Sequence, residues 1–318
     1  MKKKHLNIFF LLVVLLGASS IFYYLKLRSP SENTVAASQS ASTEISQTQL
    51  AAATTTQETA VESTVTVVQI GTEDVSLFSQ PDSDSEEITV VTRGEYVEYL
   101  ETVNDWYHVI VNNEYEGYVS SLYSEKCTIS EPITPDSLEN TVVVLNPGHG
   151  GDDTGALSNN EYYYEKDVTL STAQVIQETL EAAGCTVILT RDDDTTESLD
   201  DICADSNDNY ADFFISLHYD STEYMNEASG TTTYYYYDKY ADLAETVNDS
   251  LGYYLPLENR GVELGNYQVL RENTRPALLL ELGYMNNDYD LQTFMTESYQ
   301  QQVADAILEG LTEYIQAA

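Results

Sequence analysis

Val142-Val143-Val144-Leu145-Asn146-Pro147-Gly148-His149-Gly150-Gly151 decides how the C-terminal part of this chain is read. A short β-branched apolar run ends in Asn-Pro-Gly, so a buried strand stops, turns, and leaves a histidine just past its end. Phe213-Phe214-Ile215-Ser216-Leu217-His218 repeats the arrangement, and Ala277-Leu278-Leu279-Leu280 leads into Glu281 in the same way. A further apolar run covers 187–190, and 231–237 and 267–270 read as two more strands. Helical patterns fall between them, at 165–183, 199–210, 241–253 and 291–315. Strand–helix alternation with continuously apolar strands predicts an α/β domain over 141–318, its sheet mostly parallel and flanked by helices on both faces.

That class gives the polar residues a common location. In open α/β sheets, ligands bind in the crevice beyond the carboxyl ends of the strands, where His149, His218 and Glu281 are expected. Glu165 opens the helix after the His149 loop, and its first turn can face the same crevice. Taken singly, a histidine at a strand end is usually structural, and Glu165 could merely favour a helix N-terminus through its dipole. Glu281 is harder to dismiss, because it interrupts an apolar run where a carboxylate without a partner is costly to bury. Together, two imidazoles and one carboxylate make a three-ligand Zn2+ site with a position left open, the pattern of catalytic zinc. Zinc lowers the pKa of water and polarises carbonyls, and Glu281 is placed to move the proton to the leaving nitrogen. The chain has four histidines. His5 lies in an apolar leader, and His108, on a strand without an acid or cysteine at metal spacing, is not read as a ligand.

Upstream of this domain, residues 127–140 contain Pro132 and Pro135 and read as a linker. Residues 64–126 show five short β-branched and aromatic runs, at 65–70, 87–91, 96–100, 107–111 and 115–119, separated by turn residues such as Arg93-Gly94 and Asn112-Asn113. This spacing predicts a small all-β barrel. Residues 29–63 are Ser, Thr, Ala, Gln and Glu with few large apolar side chains, and read as a disordered linker. At the start, Lys2, Lys3 and Lys4 precede an apolar stretch at residues 6–25, which at about 1.5 Å per residue reaches roughly 30 Å, enough to cross a membrane. The lysines keep the N-terminus inside, so the remainder is expected outside the cell. The continuing Ile21-Phe22-Tyr23-Tyr24-Leu25 favours an uncleaved anchor for 1–28 over a signal peptide cut after Ala18-Ser19-Ser20.

A formal net charge of −40 argues against nucleic acid, which needs a basic footprint, and fits a highly solvated surface. Cys127, Cys185 and Cys203 do not make a disulfide framework. Cys185 and Cys203 read as small core residues, with a bridge between them left open.

Residues 145–151 with Gly155-Ala156, then Glu165-Lys166-Asp167, Leu189-Thr190-Arg191-Asp192, residues 211–218, and 276–283 with Asn287 resemble zinc-dependent N-acetylmuramoyl-L-alanine amidases in order and spacing, across essentially all of 141–318. The resemblance implies that His149, Glu165 and His218 ligate zinc and that Glu281 is the catalytic acid/base. It implies a peptidoglycan substrate, cut between N-acetylmuramic acid and the first L-alanine of the stem peptide. Zinc chemistry alone would equally serve a peptidase or carboxypeptidase acting inside the stem peptide, and a catalytically silent wall-binding protein would keep the fold without the activity. Arg271 and Asn287 are candidates to hold substrate, although a structural ion pair is an equal account of Arg271. Asn146, Ile202 and Tyr219-Asp220 depart from the family pattern. Gly94-Glu95-Tyr96-Val97, Asp105-Trp106-Tyr107-His108-Val109 and Gly117-Tyr118-Val119 resemble the bacterial SH3-like domain, which implies binding of cell-wall peptides.

Overall fold

A computed structural model of the chain describes residues 63–71 and 73–318. The leader, with the membrane reading of residues 6–25, and all but the last residue of the 29–63 linker lie outside the described residues. Among the described residues, no helix is long and apolar enough to cross a membrane.

The first domain is a seven-stranded antiparallel sheet: β1 (Thr64–Ile70), β2 (Val75–Phe78), β3 (Glu87–Val91), β4 (Tyr96–Val103), β5 (Trp106–Val111), β6 (Tyr115–Ser120) and β7 (Ser124–Ser130), in the order β3-β2-β6-β5-β4-β1-β7. Alternate residues of these strands, among them Val68, Ile70, Leu77, Val97, Val109 and Val119, close a small core. Asn112 and Asn113 turn β5 into β6 with φ of 50° and 56°, the left-handed conformation that asparagine accepts in tight hairpins.

Two of the seven strands depart from the five expected. β2 has only four residues, and β7 begins Ser-Glu-Lys on a sheet edge where no apolar alternation is needed. Its pairing with β1 runs from Thr64 opposite Ser130 to Ile70 opposite Ser124. Residues 127–130 therefore belong to this domain and not to the linker. His108 also has acidic neighbours after all: Glu116 at 3.0 Å and Glu101 at 3.8 Å, both reached across strands.

The second domain carries β8 (Val142–Pro147), α1 (Glu165–Ala182), β9 (Thr186–Leu189), α2 (Leu199–Asp208), β10 (Phe213–Asp220), β11 (Thr231–Tyr235), α3 (Ala241–Tyr254), β12 (Asn259–Leu264), α4 (Gln268–Arg271), β13 (Ala277–Tyr284), α5 (Asp288–Phe294) and α6 (Glu297–Ala317). The sheet order is β12-β11-β13-β10-β8-β9. It is a mixed sheet, parallel except where β11 meets β13.

The strands are apolar on successive residues because both faces are covered. Val143, Leu145, Phe213, Ile215, Leu278 and Leu280 point to one core with residues of α1, α3 and α6. Val144, Phe214 and Leu279 point to the other, with Ile202 of α2 and Val269 and Leu270 of α4. Residues 267–270 are thus not a strand. Val269 and Leu270 bury their side chains from a single helical turn, and the edge strand is β12, whose Asn259-Arg260-Gly261 start carries no apolar run. The expected closing helix is two helices, α5 and α6, capped separately by Asn287 and Thr296. All three cysteines are free thiols, with Cys185 and Cys203 buried, so no bridge joins them.

The two domains touch through tyrosines. Tyr237 donates its hydroxyl to the Arg271 carbonyl at 2.6 Å and accepts from the Tyr96 backbone N–H at 3.0 Å. The Tyr236 hydroxyl donates to Glu95 Oε2 at 2.8 Å, and Arg271 Nε donates to the Arg93 carbonyl at 2.6 Å. The run 234–237 therefore serves a domain contact as well as a strand. Tyr237→Phe would strand a buried carbonyl and an N–H, and is expected to cost about 2 kcal/mol, a fall in Tm of roughly 4–8 °C. An unchanged Tm would show that the contact does not stabilise the protein.

Candidate active site

Strand register brings the functional side chains to one edge. Leu217 pairs with Pro147 and His218 with Glu281, so the functional positions of three neighbouring strands lie at one level. The Pro147-Gly148 turn then lifts His149 over that edge with φ of 64°. Gly148 is required there: a Cβ on it would lie 2.3 Å from His218 Cε1. Gly155 performs the same service at φ +62°, since a Cβ would fall 2.6 Å from both Glu165 Oε2 and His149 Cδ2.

His149, Glu165 and His218 converge. One ligand atom from each lies within 4.8 Å of the others. Glu165 Oε1 is 3.1 Å from His149 Nε2 and 2.9 Å from His218 Nδ1. The Glu165 carboxylate is fixed by two backbone donors, Tyr219 N–H on Oε1 at 3.0 Å and Ala156 N–H on Oε2 at 2.8 Å. His149 Nδ1 lies 2.9 Å from Asp153 Oδ2. A carboxylate on the far nitrogen sets the tautomer that leaves Nε2 free to ligate, which is how metal-bound histidines are usually supported. Two imidazole nitrogens and one carboxylate oxygen, aimed at one point, are a donor set suited to zinc.

The electrostatics of the cluster follow from its charged partners. Burial works against a charge on His149, but the hydrogen bonds and charges of Glu165 and Asp153 outweigh it and raise the imidazole to about 9. Burial likewise opposes the Glu165 charge, yet the hydrogen bonds from His149 and His218 hold that carboxyl far below its ordinary value. A metal must therefore displace a proton from His149. Its apparent affinity is expected to rise roughly tenfold per pH unit up to about pH 9, with one proton released per ion. Calorimetry in two buffers of different ionisation enthalpy would count that proton, and affinity independent of pH would contradict the assignment.

Glu281 stands beside the cluster on β13, and its Oε2 is shielded from solvent with no hydrogen-bond partner. Burial first, then the charges of Glu165 and Asp220, push its carboxyl well above the ordinary range. A carboxyl raised by burial beside a candidate metal centre is suited to carry a proton. Glu281, His149 and His218 line a cleft of about 350 Å³ whose walls also include Asn146, Asp153, Glu197, Ile202 and Tyr267.

The other candidates fall elsewhere. Arg271 is turned to the first domain, donating to Arg93 and Asn266 and pairing with Glu272 at 3.5 Å. Asn287 caps α5, accepting from Tyr289 and Asp290 N–H and donating to the Ala228 carbonyl. Both side chains are engaged within the fold, and neither lines this cleft. Asn146 is buried and satisfied, donating to Thr190 and accepting from Ser216. Tyr219 points into the core, sharing a 2.8 Å hydrogen bond with Thr172, so its size does not shape the cleft. Asp153 and Glu197 escaped the sequence reading. Asp153 had a usable signal, an acid four residues after a candidate ligand in a glycine-rich loop, whereas Glu197 had none.

Comparison with known proteins places these features in context. Residues 143–313 match the family model described as N-acetylmuramoyl-L-alanine amidase, and residues 73–125 match that of the bacterial SH3 domain. The chain is 36% identical over 249 residues to the "Probable cell wall amidase LytH" of Staphylococcus aureus, covering 77% of this chain and 84% of that protein. Among solved structures, an N-acetylmuramoyl-L-alanine amidase from Clostridium difficile 630 aligns with a TM-score of 0.54 at 33% identity, over 56% of this chain and 98% of that one. The catalytic domain of the amidase CwlV from Bacillus (Paenibacillus) polymyxa var. colistinus gives 0.54 at 34%, over 56% and 99%.

Proposed function

Because the chain belongs to the N-acetylmuramoyl-L-alanine amidase family, we propose that His149, Glu165 and His218 hold one zinc ion and that Glu281 moves the proton in its reaction. The protein is a peptidoglycan hydrolase that cleaves the amide between the lactyl group of N-acetylmuramic acid and L-alanine. The observation that carries the site assignment is the convergence of the three ligand atoms within 4.8 Å, in a cleft shared with an unpartnered carboxylate.

The family is metal-dependent, and bound zinc would supply Lewis acidity, making water acidic enough to ionise near neutral pH and polarising the amide carbonyl. The chain does the rest. The Glu281 carboxylate accepts the proton of the attacking water and returns it to the alanine nitrogen as the C–N bond breaks. Asp153 keeps the His149 ring in one orientation, and the Tyr219 and Ala156 N–H groups do the same for Glu165. Val269, Ile202 and Leu279 wall the cleft with apolar surface, which strengthens these polar contacts.

The SH3-like domain is assigned a wall-binding role, holding cell-wall peptides while the neighbouring cleft works. Residues 6–25 are assigned as a membrane anchor that keeps the enzyme at the outer face of the membrane, next to its substrate. Digestion of purified peptidoglycan by the zinc-loaded protein, with products identified by mass spectrometry, tests the reading. Peptides with a free L-alanine amino terminus are expected. Cuts within the stem peptide would reassign the protein as a peptidase, and intact peptidoglycan as a wall-binding protein.

A further inference from the structure

The side chains that line the catalytic cleft bring carboxylates, those of Asp153, Glu197 and Glu281, and no lysine or arginine of the described residues. A dication at the histidine cluster does not offset these carboxylates. Glu165 and the three lining carboxylates exceed two positive charges even when Glu281 is protonated.

The nearby cations are committed elsewhere. Arg191 is 4% exposed and donates to the carbonyls of Pro147, Gly148 and Lys166. Lys166 Nζ is held by the Gly151 carbonyl and Asp194, at 2.7 and 2.8 Å. Arg275 is 1% exposed and donates to the Ala211 carbonyl, and Arg271 faces the first domain. None is free to meet an anion in the cleft. Glu197 meanwhile presents an Oε2 that is shielded and has no partner, with apolar Ile202 lining the same cleft.

In peptidoglycan the residue after L-alanine is a glutamyl unit joined through its side-chain carboxyl. Its α-carboxyl, one residue from the cut amide, is either a free carboxylate or a primary amide. A carboxylate there would enter a cleft lined by carboxylates with no lysine or arginine to pair with, whereas a primary amide brings N–H donors that a carboxylate such as Glu197 accepts.

We propose that this enzyme selects muramoyl peptides whose glutamyl α-carboxyl is amidated, with Glu197 as a specificity-determining residue. The selection rests on the amidase reading above. It is tested with the full, zinc-loaded protein and two soluble muramoyl tripeptides that differ only in that amide, comparing kcat/KM by chromatography of the released peptide. The amidated substrate is expected to be favoured by roughly tenfold or more. The ratio should fall as salt is added, fall in Glu197→Gln, and fall further in Ile202→Arg, which adds a cation at the cleft wall. Equal rates, or preference for the free carboxylate, would overturn the inference while leaving the amidase intact. Hydrolysis of neither peptide would overturn the amidase reading, and this inference with it.

Discussion

Glu281→Gln is expected to lower peptidoglycan hydrolysis by about 10²–10⁴-fold, the usual contribution of a positioned acid/base, while the metal stays bound. Glutamine keeps the shape and removes only the ability to carry the proton. Because Oε2 has no hydrogen-bond partner, the substitution breaks no contact. The sign of its effect on stability separates catalysis from structure. The folded protein raises the Glu281 carboxyl above its ordinary value, so ionising it as pH rises through that value opposes folding. The glutamine variant escapes this cost at neutral pH, and its metal-free Tm should hold or increase. Lost activity with a retained Tm assigns a chemical role. Lost activity with a fallen Tm, or activity within threefold of the parent, would remove Glu281 from the mechanism.

Arg191→Ala is expected to be the most damaging substitution that touches no ligand. The guanidinium donates to the carbonyls of Pro147, Gly148, Lys166 and Asp193 and to Thr169 Oγ1, at 2.9 to 3.1 Å. It therefore ties the turn before His149 to the first turns of α1, where Glu165 sits. Removing it strands several buried acceptors, each worth about 1–3 kcal/mol when left unpaired. With partial relaxation the loss should be about 3 kcal/mol, a fall in Tm of roughly 6–12 °C. Metal affinity should weaken as well, since the His149 loop is no longer fixed against α1. Arg191→Lys should recover only part of both effects, because an ammonium cannot reproduce the planar fork. A variant with the parental Tm would mean that water satisfies these carbonyls equally well.

Much of this arrangement can be read from residue order. His149, His218 and Glu281 each end or interrupt an apolar run, and in a sheet with level strands that puts them at one edge. Glu165 could be found because it opens the helix that leaves the same loop. The strands buried on both faces were visible for a related reason: Val142–Leu145, Phe213–Leu217 and Ala277–Leu280 have no polar alternation to hide them. Two of the edge strands lack that signal. β7 and β12 expose one long side, so their sequences carry Ser, Glu, Lys, Asn and Arg and pass for linkers or turns. Val269-Leu270 has the opposite ambiguity, since a short apolar pair fits a strand or a helical turn until packing chooses. The capping role of Asn287 is readable from its pattern, Asn-Asp-Tyr-Asp. Arg271 and Tyr237 could not be placed from sequence, because their partners Arg93 and Tyr96 belong to the other domain. The lack of lysine and arginine along the cleft was equally hidden, since it depends on where Arg191, Lys166 and Arg275 turn their side chains.

Zinc titrated into metal-stripped protein, with bound metal and released L-alanine-terminated peptide followed together, tests the assignment most directly. Hydrolysis should be absent at the start, rise in proportion to bound zinc, and level off at one equivalent. Hydrolysis by the stripped protein, or none after one equivalent has bound, would contradict the assignment of His149, Glu165 and His218 as the catalytic metal centre.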